Sequence, residues 1–156
     1  MACVVARIVP GLETCERDWR ATVKNAIARL RTTLPRIYRA VHARAPNARI
    51  LVLGYPNPFP ATAPVISKCS LWLEPDDLRF LHDEVNALDA SVRYATAVTV
   101  NAKVTYLAPT GFAGHDACSD SSWFNGLNIV PTHFRYSFHP NLLGQRRLAK
   151  IALAAI

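Results

Sequence analysis

The apolar run Ile50–Leu53 constrains the fold of this chain more than any other stretch. It comes directly after a long helical pattern and is followed by Gly54. This arrangement is typical of a parallel strand that is covered on both faces and preceded by its crossover helix. Val104–Leu107 is predicted as a second strand, and a second helical pattern separates the two. The alternation predicts an α/β domain with a parallel sheet.

Three helices are predicted from apolar residues that recur at steps of three and four. The first starts at Glu16, and Pro35 is expected to kink it or to begin a further helix. The second opens with Glu74, Pro75 and two aspartates, which the helix dipole favours in a first turn. The third covers residues 142–156. The apolar stripe of the first helix consists of Trp19, Val23, Ile27, Leu30, Leu34, Ile37 and Val41.

The size and the charge of the chain narrow the classes of protein to which it can belong. Its 156 residues are 51% hydrophobic, so one domain with its own core is expected. No apolar run approaches the roughly 18 residues of a membrane span. Residues 1–9 lack the basic start and the uninterrupted apolar stretch of a signal peptide. The net charge of +7 comes mostly from arginines on the first helix, without a recognisable nucleic-acid-binding module. We therefore interpret it as a solvated helix face and predict no nucleic-acid partner.

The four cysteines are Cys3, Cys15, Cys69 and Cys118, and they form no C-x-x-C pair. A zinc site would have to use scattered ligands such as His115, Cys118 and His133, so no metal and no cofactor are predicted. An even number of widely spaced cysteines suits two disulfides and an oxidising compartment. Pairing Cys3 with Cys15 and Cys69 with Cys118 is the most economical of the three possible connectivities.

His139 is the strongest candidate for a chemical role. It precedes Pro140 and the last helix, so it should lie at or just before a helix N-terminus. The positive end of the helix dipole favours a neutral imidazole, which is the form that a general base needs. The proline-rich stretch Tyr55–Pro64 follows the first strand, where loops of a parallel sheet build sites. It is either one wall of a substrate pocket or a rigid connection.

Three stretches resemble the SGNH (GDSL-type) hydrolases, particularly the secreted actinobacterial esterase and lipase branch. Residues 45–56 resemble the fourth strand of that branch. Residues 112–118, with residues 123–126, resemble its loop before the catalytic histidine, and residues 137–145 resemble the final block that bears this histidine. The resemblance implies a flavodoxin-like three-layer α/β/α fold, local disulfides that agree with the economical pairing, and secretion.

The blocks that carry the family's nucleophile and oxyanion donors do not occur in residues 1–156. There is no Gly-Asp-Ser block, no glycine block after a second strand and no Gly-x-Asn-Asp block. Residues 1–156 are therefore expected to be the C-terminal portion of a single SGNH-type domain whose first strands are missing. Ser119, Ser121, Ser122 and Ser137 stand in no motif that would expose and activate a nucleophile.

The resemblance also implies roles for individual residues. His139 would be the general base of ester hydrolysis, acting on a small-molecule or lipid ester. Where the family often has an acid, this chain has Tyr136, whose backbone carbonyl would orient the imidazole; Asp116 and Asp120 are other candidates. Tyr55, Phe59 and Trp123 would contribute to the substrate pocket.

Two other functional classes remain open from the sequence. One is a non-catalytic remnant or interaction module that associates with another chain through an exposed sheet edge. The other is a basic module that binds nucleic acid or anionic lipid, and only the charge of +7 favours it.

Overall fold

A computed structural model describes residues 15–62, 69, 73–128, 130 and 132–156 of the chain. Its elements are helix α1 (Cys15–Arg44), strand β1 (Ile50–Leu53), helix α2 (Pro75–Ala97), strand β2 (Val104–Leu107), a 3-10 turn (Phe134–Tyr136) and helix α3 (Leu142–Leu153). Both predicted strands are present. None of the described helices is long and apolar enough to cross a membrane.

The two strands pair in parallel, with Ile50 opposite Val104 and Leu53 opposite Leu107. Within the described residues they form a two-stranded sheet. Helix α2 packs against β2, helix α3 contacts β1, and α1 packs mainly against α2. The strands are half-buried rather than covered on both faces, and Leu53 is 39% exposed. The prediction of fully covered strands is therefore wrong for this structure, because two strands and these helices leave part of each strand open.

Helix α1 is one element of 30 residues that continues through Pro35. Its buried face differs from the predicted stripe at both ends, since Trp19 is 44% exposed. Tyr38 is only 8% exposed, whereas Ile37 and Val41 are 48% and 45% exposed. Helix α2 is the main neighbour of α1, so the side chains that face α2 become buried and the adjacent ones remain in solvent.

The core consists of two adjoining clusters of buried residues. The larger one contains Phe59, Cys69, Leu73, Leu78, Phe80 and Cys118. The smaller one contains Phe112, Ala117 and Phe124. Phe138 packs against both clusters. It directly precedes His139, so the candidate base is attached to the point where the two clusters meet.

The Cys69–Cys118 disulfide predicted from the sequence is present. It joins two chain segments 49 residues apart within the larger cluster. The predicted partner pair, Cys3 and Cys15, lies outside the residues whose side chains the structure describes.

Candidate active site

His139 lies two residues before Asn141, the N-cap of α3. The Asn141 carboxamide oxygen accepts from the backbone N–H groups of Leu143 and Gly144, at 2.9 and 3.2 Å. This is a common way to satisfy the first N–H groups of a helix. Pro140 therefore lies one residue before the cap. The prediction that His139 stands just before the helix is confirmed.

The loop around Asn125 holds the His139 segment in place. The Asn125 N–H donates to the His139 carbonyl at 2.9 Å, and the Phe138 N–H donates to the Asn125 carbonyl at 3.1 Å. The next pair along, Phe124 and Pro140, forms an antiparallel bridge. Asn125 was not singled out from the sequence, where it appeared only within residues 123–126 of the family resemblance.

Phe138 has a left-handed backbone, with φ of 62°. A bulky residue rarely adopts this conformation, because its Cβ crowds the backbone. Here the bonds to Asn125 and the packing of its ring on Phe59, 5.1 Å between centroids, hold it in place. Strain of this kind often occurs where a functional side chain must be presented at a fixed angle. It turns the following residue, His139, outward, where it is exposed.

Among the described residues, Tyr55 contacts the His139 ring. The Tyr55 hydroxyl oxygen lies 3.2 Å from Nδ1 of His139, and the two rings meet edge to face. The Tyr136 carbonyl instead accepts from the backbone N–H of His139, at 3.3 Å, and from the side chain of Asn125, at 3.1 Å. Orientation of the imidazole by the Tyr136 carbonyl therefore stays a prediction, with a different group next to Nδ1.

Tyr55 is itself fixed by a carboxylate on α2. One oxygen of Asp89 accepts from the Tyr55 backbone N–H at 2.9 Å, and the other accepts from the Tyr106 hydroxyl at 2.5 Å. Gly54 permits this arrangement, because a Cβ there would stand 2.6 Å from Asp89 and 2.7 Å from Pro109. We call Asp89, Tyr106 and the Tyr55 N–H the Asp89 clamp. Sequence reasoning missed it, since Asp89 carried no signal that set it apart from other polar residues of the helix.

The pKa values of two tyrosine hydroxyls in this region are raised. Burial raises the pKa of the Tyr55 hydroxyl. Burial, and then the hydrogen bond and the charge of Asp89, raise the pKa of the Tyr106 hydroxyl. Both phenols therefore remain protonated under ordinary conditions, so Tyr106 can act as the donor in the clamp.

The clamp leads us to expect a loss of stability at alkaline pH. Below about pH 10, the ordinary pKa of tyrosine, Tyr106 is protonated in both folded and unfolded chains and its contribution is complete. As the pH rises further, the unfolded chain releases this proton first, so the free energy of unfolding falls. Urea unfolding from about pH 9 to 11.5 should show this slope, and Tyr106→Phe should reduce it. An equal slope in Tyr106→Phe and in the control Tyr94→Phe would contradict the expectation.

The proline-rich loop after Tyr55 is tied to α2. The Asn57 side chain donates to the His82 carbonyl and to Asn86, both at 2.9 Å, and accepts from the Phe59 N–H. The Phe59 carbonyl lies 2.7 Å from Nδ1 of His82. This loop is thus a braced connection that presents Tyr55 to His139.

The other predicted pocket residues, Phe59 and Trp123, make aromatic contacts in the surrounding loops. Phe59 is buried, 7% exposed, and touches Phe138. Trp123 stacks on His115 with ring centroids 3.9 Å apart, and its carbonyl accepts from the Asn141 N–H at 2.8 Å. Their roles in a substrate pocket stay predictions. Cys118 is in a disulfide, so it cannot be the thiolate ligand of a metal.

The four serines of this region hydrogen-bond to backbone groups of the loops. Ser119, Ser121 and Ser122 donate to the carbonyls of Asp116, Gly114 and Phe124. The Ser137 hydroxyl accepts from the Asn128 N–H at 3.0 Å. These bonds give the serines structural partners in the loops.

A cavity of about 520 Å³ opens beside the His139 segment. It is lined by Asn125, Gly126, Leu127, Asn128, His133 and Tyr136. Asn125 and Tyr136 belong both to this lining and to the bonds that hold the segment. The volume falls in the range of small-molecule sites, and the lining mixes apolar and polar groups.

Comparison with known proteins relates the chain to lipases. No family model matches it. It is 38% identical to Lipase 2 of Streptomyces coelicolor over 117 residues, which are 70% of this chain and 37% of that protein. It is 29% identical to a lipase of Streptomyces rimosus over 134 residues, 81% of this chain and 46% of that protein. The chain thus spans less than half the length of these relatives.

A solved structure, a phospholipase A1 from Streptomyces albidoflavus, superposes on 99% of the chain and 60% of its own length. The TM-score is 0.72 and the sequence identity 24%. The chain therefore shares the fold of the matching part of that structure and is similar in sequence to Streptomyces lipases.

Proposed function

We propose that this chain is the histidine-bearing, C-terminal portion of an ester hydrolase domain of the lipase type, within the SGNH class. The observation that carries the proposal is the position of His139, which is exposed and held just before α3, three residues after Tyr136 in the lining of the cavity of about 520 Å³. The similarity to lipases over 70% of the chain supports it. The three-layer fold is supported by the match to the phospholipase structure.

In this proposal His139 takes the proton from a serine hydroxyl as that oxygen attacks the ester carbonyl carbon. The imidazolium then returns the proton to the departing alcohol oxygen as the carbon–oxygen bond breaks. The serine and the oxyanion donors would come from blocks that do not occur in residues 1–156. The cavity beside Tyr136 would receive part of a lipid or small-molecule ester. The Cys69–Cys118 disulfide supports an extracellular location.

A chimera tests this proposal. The full chain replaces the matching segment of Lipase 2 of Streptomyces coelicolor, and hydrolysis of p-nitrophenyl butyrate is measured beside the parent enzyme. We expect the chimera to hydrolyse the ester, while the isolated chain stays at background. A chimera that folds, as judged by circular dichroism, but has no activity would contradict the proposal. Robust hydrolysis by the isolated chain would contradict the external origin of the serine.

The exposed apolar side chains favour a second candidate, an interaction module. Val100 and Leu153 are each 70% exposed, and Leu53 of β1 is 39% exposed. The exposed side of β1 could pair with another chain without catalysis. A folded but inactive chimera would favour this candidate over the hydrolase.

A further inference from the structure

We propose that Tyr55 is the positioning residue for His139: its hydroxyl oxygen accepts the Nδ1 proton of the imidazole and so leaves Nε2 free to act as the base. This inference rests on the proposed function, because the choice of Nε2 follows from the role of His139 in ester hydrolysis. Its structural basis is the 3.2 Å separation between the Tyr55 hydroxyl oxygen and Nδ1.

Tyr55 occupies the place beside Nδ1 where a carboxylate would orient the imidazole. Among the described residues, the Tyr55 hydroxyl is the group in contact with Nδ1. Asp116, one of the acids considered from the sequence, instead accepts from the Cys118 N–H at 2.9 Å. The Tyr136 carbonyl already accepts from two N–H groups. Tyr55 is thus the group at the place where a histidine base is normally oriented.

The backbone at Tyr55 is held by two neighbouring elements. The Asp89 clamp holds its backbone N–H at 2.9 Å, and Gly54 before it is buried and continues the sheet by donating to the Leu107 carbonyl. Asp89 is in turn held by Tyr106 of β2. A hydroxyl orients a partner best when the backbone that carries it is fixed, and here strand β2 and helix α2 both hold the Tyr55 backbone.

The charge state of Tyr55 decides how it can act on His139. Burial keeps the Tyr55 phenol protonated, so it is a neutral partner. Once the imidazole carries two protons, both ring nitrogens are donors, and the phenol oxygen can then only accept. Tyr55 therefore supplies orientation throughout the proton transfer, but less stabilisation of the imidazolium than a carboxylate would supply.

The tautomer of His139 tests the inference directly in the isolated chain. Long-range proton–nitrogen NMR spectra at about pH 8.5, some two units above the ordinary pKa of histidine, distinguish a proton on Nδ1 from one on Nε2. The His139 signals are assigned by their loss in His139→Gln. We expect the Nδ1–H tautomer to predominate in the native chain. Tyr55→Phe should shift the population toward Nε2–H, and Tyr94→Phe, which removes a hydroxyl elsewhere, should leave it unchanged.

Two results would overturn the inference. Predominance of Nε2–H in the native chain would mean that the Tyr55 hydroxyl donates to Nδ1 and covers its lone pair. An unchanged Nδ1–H tautomer in Tyr55→Phe would assign the orienting role to another group, such as the Tyr136 carbonyl. Asp89→Ala adds a second variant, which should shift the population in the same direction as Tyr55→Phe because it releases the Tyr55 backbone.

The NMR measurement needs no nucleophile, so its result is separable from the proposed function. In an active chimera, Tyr55→Phe should lower kcat by about tenfold with little change in KM, as expected for loss of a neutral hydrogen bond that orients the base. An unchanged kcat in an active chimera would overturn the inference. A tautomer that responds as expected beside an inactive chimera would reject the proposed function and leave the contact between Tyr55 and His139 established.

Discussion

Replacing His139 with alanine should lower kcat/KM of the lipase chimera for p-nitrophenyl butyrate by at least about a hundredfold, and by up to about ten-thousandfold. The side chain is exposed, so its removal leaves no core cavity. The loss would arise because the imidazole would no longer take the serine proton. KM should change little, because the imidazole acts on the reacting proton and not on the bulk of the ester.

Ser137→Ala is the matched control for this variant. Ser137 lies two residues away on the same segment, and its hydroxyl bonds to the backbone of Asn128. We expect this variant to retain activity within a few fold. If His139→Ala were as active as Ser137→Ala, His139 would not be the base. If both variants were inactive, the substitutions would have disrupted the structure of the segment, and the unfolding curves of both variants would then show a lower stability than that of the parent chimera.

Removing the Cys69–Cys118 disulfide should lower the free energy of unfolding by about 4 kcal/mol, the loop-closure value for a separation of 49 residues. Small domains are typically stable by about 5 to 15 kcal/mol, so this is a large share of the total. Guanidinium unfolding of Cys69→Ala/Cys118→Ala, compared with the oxidised chain, measures the loss.

The reduced native chain separates the two contributions to this loss. Both cysteines are buried, at 1% and 7% exposure, so the double alanine variant also removes packed atoms. Reduction with dithiothreitol opens the cross-link but keeps those atoms. We expect reduction to account for most of the effect. A loss below about 1 kcal/mol on reduction would contradict the expectation.

Local patterns predicted much of the fold. The strands at Ile50–Leu53 and Val104–Leu107 followed from apolar runs, and the Cys69–Cys118 pair followed from economy of pairing. The exposure of Ile37 could not be predicted from the local pattern, because the element that packs against a helix decides which of its side chains become buried. Spacings of three and four define a stripe only to within about one residue per turn.

The candidate site was predicted in part. His139 carried a local signal, since a helix start follows it. Its contact with Tyr55 joins residues 84 apart, and no local pattern encodes such a pair. Asp89 was missed for a related reason: its two partners come from β2 and from the loop after β1, and only the folded chain brings them to one carboxylate.

The attachment of His139 to the Asn125 loop has a consequence for the order of folding. Its bonds join Trp123, Phe124 and Asn125 to residues 138–141, which are close in sequence. The pairing of Ile50 with Val104 must close a much longer loop, at a larger entropic cost. Contacts between residues close in sequence cost less loop-closure entropy and go with faster folding. The bonds between residues 123–125 and 138–141 are therefore expected to form before the sheet. The contact between Tyr55 and His139 is expected to form last, because it requires β1 to be in place.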